Sequence, residues 1–202
     1  MKEGSTIVLP VLSGALSPAL DSGTCPHLAV LLRSEDEFAP VLASFYSLGV
    51  KRGGWLVHRG VEPDRDREAL TGAGLDVSGL EAQQRLALEQ IQVTKPPEEL
   101  PRRLDAGFDE AVKRGLSTLW SSHTPVGPDS DSFAYAMEVE RAWEEHFRGR
   151  PVVTLCPYVV DGLDASSALG RLTGLSAGHD GVLVPSGDGL ELFTPARAPG
   201  SP

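Results

Sequence analysis

HLAVLLRSEDEF, His27 to Phe38, changes its period halfway along, and that change sets the architecture of everything that follows. Its first half, His27 to Leu32, is a nearly continuous apolar run, the pattern of a strand covered on both faces. Ser34 and Glu37 then stand three residues apart, as in a reciprocal N-terminal capping box. Phe38, Val41, Leu42, Phe45 and Leu48 recur at helical spacing, and Gly49 is the expected stop. A buried strand running directly into a helix is the unit from which parallel sheets are built.

The alternation continues outward. Strands are expected at Trp55–His58, Leu116–Ser121, Pro151–Tyr158 and Val182–Pro185. Leu190–Phe193 is expected to close a hairpin through Gly187-Asp188-Gly189. Asp64–Ala73 reads as a short helix. A longer one opens at Pro97-Glu98-Glu99, buries Leu100, Leu104, Phe108, Ala111 and Val112, and ends at Gly115. Asp131 is the expected cap of a helix to Phe147 that carries Phe133, Met137, Trp143 and Phe147 on one side. Asp164–Leu175 completes the set, while Leu75–Val93 reads equally as strand or helix. The fold class is therefore α/β: one domain, residues 26–195, with a mainly parallel sheet flanked by helices on both faces. Residues 1–25 read as an arm or linker with one short strand at Thr6–Leu9, and residues 196–202 as a frayed tail.

The chain has 202 residues, 41% hydrophobic and 23% charged, which suits one sizeable core. Its net charge of −10 and pI near 4.9 repel phosphate backbones and anionic lipid, so neither nucleic acid nor membrane is an expected partner. Two cysteines are too few for a disulfide framework. Glu3 and Pro10 disfavour a leader peptide, which makes the expected location cytoplasmic.

In sheets of this type ligands bind beyond the carboxyl ends of the strands, here Arg33-Ser34, Arg59-Gly60, Ser122-His123 and Pro157-Tyr158. A nucleotide hydrolase needs a glycine-rich loop after its first strand, a lysine on the phosphates and a hydroxyl on magnesium. Arg33-Ser34-Glu35-Asp36-Glu37 offers no glycine, no lysine and three acids, so hydrolysis by that mechanism is excluded as an expectation. Gly72-Ala73-Gly74 has no preceding strand and places Val77 where a third glycine belongs.

Cys156, near a strand end, reads either as a thiol nucleophile helped by His27, His123 or Asp161, or as a small buried residue. Cys25-Pro26-His27 lacks a second ligand pair, and His58, His123, His146 and His179 are scattered, so neither metal nor cofactor is expected. Pro157 marks the strand's exit and leaves Tyr158 near the expected crevice. Tyr46 flanks Phe45. Both tyrosines read as ligand contacts or as cover for the rim. The candidate ligand-binding residues are thus His27, Ser34, Tyr46, His123, Cys156 and Tyr158, with no catalytic residue assigned.

Most of residues 25–195 resembles the MEDS family, the methanogen/methylotroph DcmR sensory domain. The resemblance rests on HLAVLLRSEDEF, on FYSLGVKRGGWLV (Phe45–Val57), on GLDV (Gly74–Val77) and above all on AMEVERAWEEHFRGRPVVTLCPY (Ala136–Tyr158). Glu140 and the Cys156-Pro157-Tyr158 exit are similar to family features. The resemblance implies a RecA/KaiC-like fold without its phosphate-binding loop and a sensory role directed at small organic ligands such as hydrocarbon derivatives. It also implies a signalling partner in trans, a histidine kinase or a sigma-factor regulator, and is compatible with a homodimer. Family members tend to carry an acid and a tryptophan after the strand at Leu116–Ser121. Here Ser122-His123 takes that place and Trp120 comes earlier. A ligand-free protein-interaction adaptor and an enzyme using Cys156 are the competing readings.

Overall fold

The computed structural model describes residues 5–194 apart from 22, 24, 92–95, 98, 128, 164, 187 and 188. The expectations for Glu98, Asp164, the Gly187-Asp188 turn and the tail lie outside the described residues. Seven strands form one sheet: β1 (His27–Leu32), β2 (Trp55–Gly60), β3 (Leu86–Gln90), β4 (Leu119–His123), β5 (Val152–Val159), β6 (Gly181–Ser186) and β7 (Gly189–Phe193). Their order is β3-β2-β4-β5-β1-β6-β7, parallel throughout except for β7, which runs antiparallel beside β6.

Four helices cover one face: α1 (Ser5–Asp21), α2 (Phe38–Lys51), α3 (Pro63–Gly72) and α4 (Val77–Ala82). Their Leu12, Leu16, Leu42, Phe45, Leu70 and Leu80 bury against Val30, Leu56, Trp120 and Leu155 of the sheet. The opposite face carries α5 (Glu99–Arg102), α6 (Asp105–Lys113), α7 (Ser130–Phe147) and α8 (Ala165–Gly178). There Phe108, Trp143 and Phe147 pack on Trp55 and Val57, while Ala136 and Leu175 pack on Ala29, Cys156 and Tyr158. The split follows from strand pleating, which sends successive side chains to opposite faces.

Several local expectations are corrected. Residues 5–21 are helix, and Thr6–Leu9 lies in its first turns where a strand was expected. Leu12 and Leu16 are fully buried, and the helix packs against α2 and β7. Asp21 is its only charged residue, so no polar face marked a period in the sequence. Ser34 makes no side-chain cap; a 3-10 turn, Glu35–Glu37, intervenes before α2. The Glu37 carboxylate instead accepts the Arg33 backbone N–H at 2.7 Å, one residue earlier than a capping box requires. Gly49 does not end α2. It lies inside the helix, where an added Cβ would sit 2.7 Å from Leu56 and 2.8 Å from Trp120, and it permits helix and sheet to touch. Val112 is 49% exposed. The expected long helix is broken between α5 and α6, leaving Val112 at the margin of the stripe set by Leu104, Phe108 and Ala111. Asp129, rather than Asp131, caps α7 by accepting the Ser132 N–H at 2.7 Å. The ambiguous stretch from Leu75 holds both α4, capped by Asp76, and β3. No helix among the described residues is long and apolar enough to cross a membrane.

Candidate functional site

Strand alternation deals the polar residues of the central strands to different sides. His58 of β2 faces the α1–α4 layer, where its Nε2 meets the Asp66 carboxylate at 3.1 Å and its ring lies beside Phe38. Arg59, the next residue, faces the opposite layer and stacks on the Trp143 ring at 3.9 Å. On β5, Thr154, Cys156 and Tyr158 share that second face, and His27 of β1 joins them.

A compact cluster results, with Glu140, Cys156 and His179 buried and His27 half-buried. His27 Nε2 lies 3.2 Å from Cys156 Sγ, and the His27 and His179 ring centroids are 4.3 Å apart. His179, just beyond α8, places its Nε2 3.2 Å from Oε2 of Glu140 on α7. That approach is close enough for an ion pair but poorly directed, because neither atom has a hydrogen-bond partner among the described residues. The other Glu140 oxygen accepts the Tyr158 hydroxyl.

Burial and charge act jointly on these groups. Burial lowers His27 to about 4, and the neighbouring His179 adds to the effect. Burial also opposes charge on His179 and on Glu140, but their mutual attraction outweighs it, raising the imidazole and lowering the carboxyl. Cys156 and Tyr158 are both raised, first by burial and then by the Glu140 charge.

Glu140 also forms part of the wall of a cleft of about 220 Å³ beyond the carboxyl ends of β2, β3 and β4. Arg59, Glu89, Gln90 and His123 supply its strand-borne polar groups, and Ile91, Leu100, Val126 and Val139 its apolar lining. The His123 Nδ1 hydrogen-bonds the Thr124 carbonyl at 2.8 Å, while burial and then the Arg59 charge lower this imidazole to about 4. A second crevice, of about 400 Å³, opens on the other face near the end of β1. It is lined by Glu35, Asp36, Glu62, Arg65 and Asp66. Arg65 is shared between Glu62 at 3.6 Å and Glu35 at 3.9 Å, so carboxylates dominate the place nearest the missing phosphate loop.

The structure brings His27, Cys156 and Tyr158 together and sets His123 in the adjoining cleft. Ser34 stands apart, because it follows the end of β1 whereas His27 begins that strand; at about 3.3 Å per residue they are roughly 20 Å apart. Tyr46 is fully buried on the opposite face and donates its hydroxyl to the Val57 carbonyl at 2.8 Å, a core tie rather than a rim position. Arg59 is legible in the sequence only as part of the Arg59-Gly60 strand end and His179 only as one of several scattered histidines, while Glu89 carries no cue. Glu140 carried a legible signal: it falls on the stripe Phe133, Met137, Trp143, Phe147 at helical spacing, an acid on a buried face. His179 carried no such pattern.

A mainly parallel sheet with helices on both faces and an acidic turn after its first strand defines an α/β class, and its likeness in fold to a KaiC-like structure makes that fold RecA/KaiC-like. Residues 26–172 match the profile of MEDS, the MEthanogen/methylotroph, DcmR Sensory domain, and the chain belongs to that family. Among solved structures it is similar to an uncharacterised protein from Pyrococcus horikoshii in complex with an unknown peptide. That match has 14% identity, a TM-score of 0.54 and coverage of 83% of this chain and 81% of the other. A KaiC-like protein from the same archaeon aligns at 14% identity with a TM-score of 0.51, covering 81% and 73% of the two chains. These likenesses concern the fold alone. No curated protein matches the sequence.

Proposed function

We propose that this sensory-family domain responds to a small organic ligand held in the cleft beyond β2, β3 and β4. The observation that carries the reading is Arg59. Its Nε is buried without a hydrogen-bond partner among the described residues, and it lines a cleft whose other walls are largely apolar. An unsatisfied buried donor beside apolar surface suits a molecule with one polar or anionic group and a short hydrocarbon body. The volume, about 220 Å³, favours a compact ligand over a nucleotide.

The relay would run through α7 and the loop before it. Ser132, Tyr135, Val139 and Glu140 of α7, with Thr124 to Gly127 ahead of it, all border the cleft. A ligand that prefers one arrangement of these segments shifts the population toward it and changes the surface offered to a partner in trans. A histidine kinase or sigma-factor regulator fits the family's role. The test is a thermal-shift screen of short carboxylic acids, alcohols, aromatics and nucleotides, repeated on Arg59→Met. One responding class, with its shift lost in the variant, is the expected result. A flat response across every class, with partner capture intact, would favour the ligand-free adaptor.

A further inference from the structure

We propose that His27, Glu140, Cys156 and His179 constitute a binding site for one zinc ion. Their candidate ligand atoms all lie within 4.8 Å of one another, although the residues come from β1, α7, β5 and the end of α8. Zinc held at about 2.0–2.3 Å by nitrogen, oxygen and sulfur in a tetrahedron separates its ligands by roughly 3.3–3.8 Å. The His27–Cys156 and His179–Glu140 approaches, both 3.2 Å, come within a few tenths of an ångström of two opposite edges of such a tetrahedron. Closing the widest separation, at most 4.8 Å, needs about 1 Å of side-chain movement.

Three further observations agree. The first is directional: His179 Nε2 and Glu140 Oε2 face each other at 3.2 Å, yet neither has a hydrogen-bond partner among the described residues. An ion between them would satisfy both. The second is the outer shell. His179 Nδ1 lies 2.9 Å from the Leu175 carbonyl, which holds a proton there and leaves Nε2, once deprotonated, facing inward as the ligating atom. Tyr158 occupies one Glu140 oxygen and leaves the other facing inward. The third is charge. A thiolate, a carboxylate and two neutral imidazoles balance Zn²⁺, so the loaded site is neutral, as its burial demands. On binding, the thiol proton of Cys156 and any proton on His179 Nε2 pass to solvent as the Zn–S and Zn–N bonds form. His27 also borders a cleft of about 490 Å³ at the amino-terminal edge of the sheet, which provides a way in.

This site stands independently of the ligand reading, although Glu140 belongs to both. The test uses the full chain, stripped with chelator and titrated with Co²⁺ as a spectroscopic probe, followed by displacement with Zn²⁺. The chain has two cysteines, so in Cys25→Ser only Cys156 remains to give a thiolate-to-cobalt charge-transfer band. One equivalent of cobalt with that band, reversed by zinc, is the expected outcome. Cys156→Ser should lose the band, and folded Tyr158→Phe should bind about 10–100-fold more weakly through loss of outer-shell support. If Cys156→Ser does not fold, the band in Cys25→Ser alone decides. No band there, or a band in Cys156→Ser that needs Cys25, overturns the proposal.

Discussion

Val61, Thr124 and Pro125 border two clefts at the carboxyl edge of the sheet, one toward each helical layer. Toward α2 and α3 the crevice is ringed by Glu35, Asp36, Glu62 and Asp66, with His58 tied beneath it to Asp66. Toward α5 and α7 the cleft is mainly apolar, with Arg59 and His123 in its wall and the Glu140 cluster behind it. The chemistry of each side is set one residue at a time. His58 and Arg59 are neighbours on β2, and Ser122 and His123 on β4, yet pleating delivers each pair to opposite sides. An acidic crevice repels the anions that a phosphate-binding loop would hold. The mixed cleft is the side on which the proposed small ligand would bind.

Removing one acid from each side tests that asymmetry most forcefully. With chelator present, Glu140→Ala leaves buried His179 without its carboxylate and should cost about 3–5 kcal/mol in urea unfolding. Asp66→Ala takes one hydrogen-bond partner from His58 and should cost about 1–3 kcal/mol. Equal losses would break the comparison.

Acid titration separates the sides next. His123 sits at about 4 in the folded protein against an ordinary 6.5, so the unfolded chain binds the extra proton between those values. Its contribution is fully present above pH 6.5 and disappears as pH falls toward 4, by at most about 3 kcal/mol. The stability difference between wild type and His123→Gln, followed over pH 4–7 by denaturant unfolding, should show that slope. A difference independent of pH would remove His123 from the buried cleft.

Gly60→Ala probes the crevice side alone. A Cβ there would stand 1.7 Å from Asp66 Oδ2, so the carboxylate must leave its place. A thermal-denaturation loss corresponding to about 1–3 kcal/mol is expected. The His58 ring resonances should shift with it while cobalt binding at Cys156 is unchanged. The smallest effect is expected from Mg-ATP: no rise in melting temperature at millimolar concentration, since the turn after β1 supplies acids where amides and a lysine are needed.

The sheet was legible from sequence because β1 and β5 are near-continuous apolar runs and β2 and β4 open on apolar residues, and alternation with helices implies parallel pairing. α1 was not legible, because a helix nearly free of charge shows no contrast between faces. Of the cluster, Cys156, Tyr158 and His27 carried visible cues at strand ends. Glu140 stood out only as an acid on an apolar stripe, and His179 had no local pattern at all.

The sequence by itself determined the succession of buried strands and helices and the absence of a phosphate-loop pattern after the first strand. Both depend on residues adjacent in the chain, where period and residue type suffice. Only the tertiary structure decided that His27 meets Cys156 across 129 positions, that Glu140 and His179 close on them, and that Tyr46 belongs to the other layer. Those facts depend on strand order and on which way each pleat points, and no local spacing encodes either.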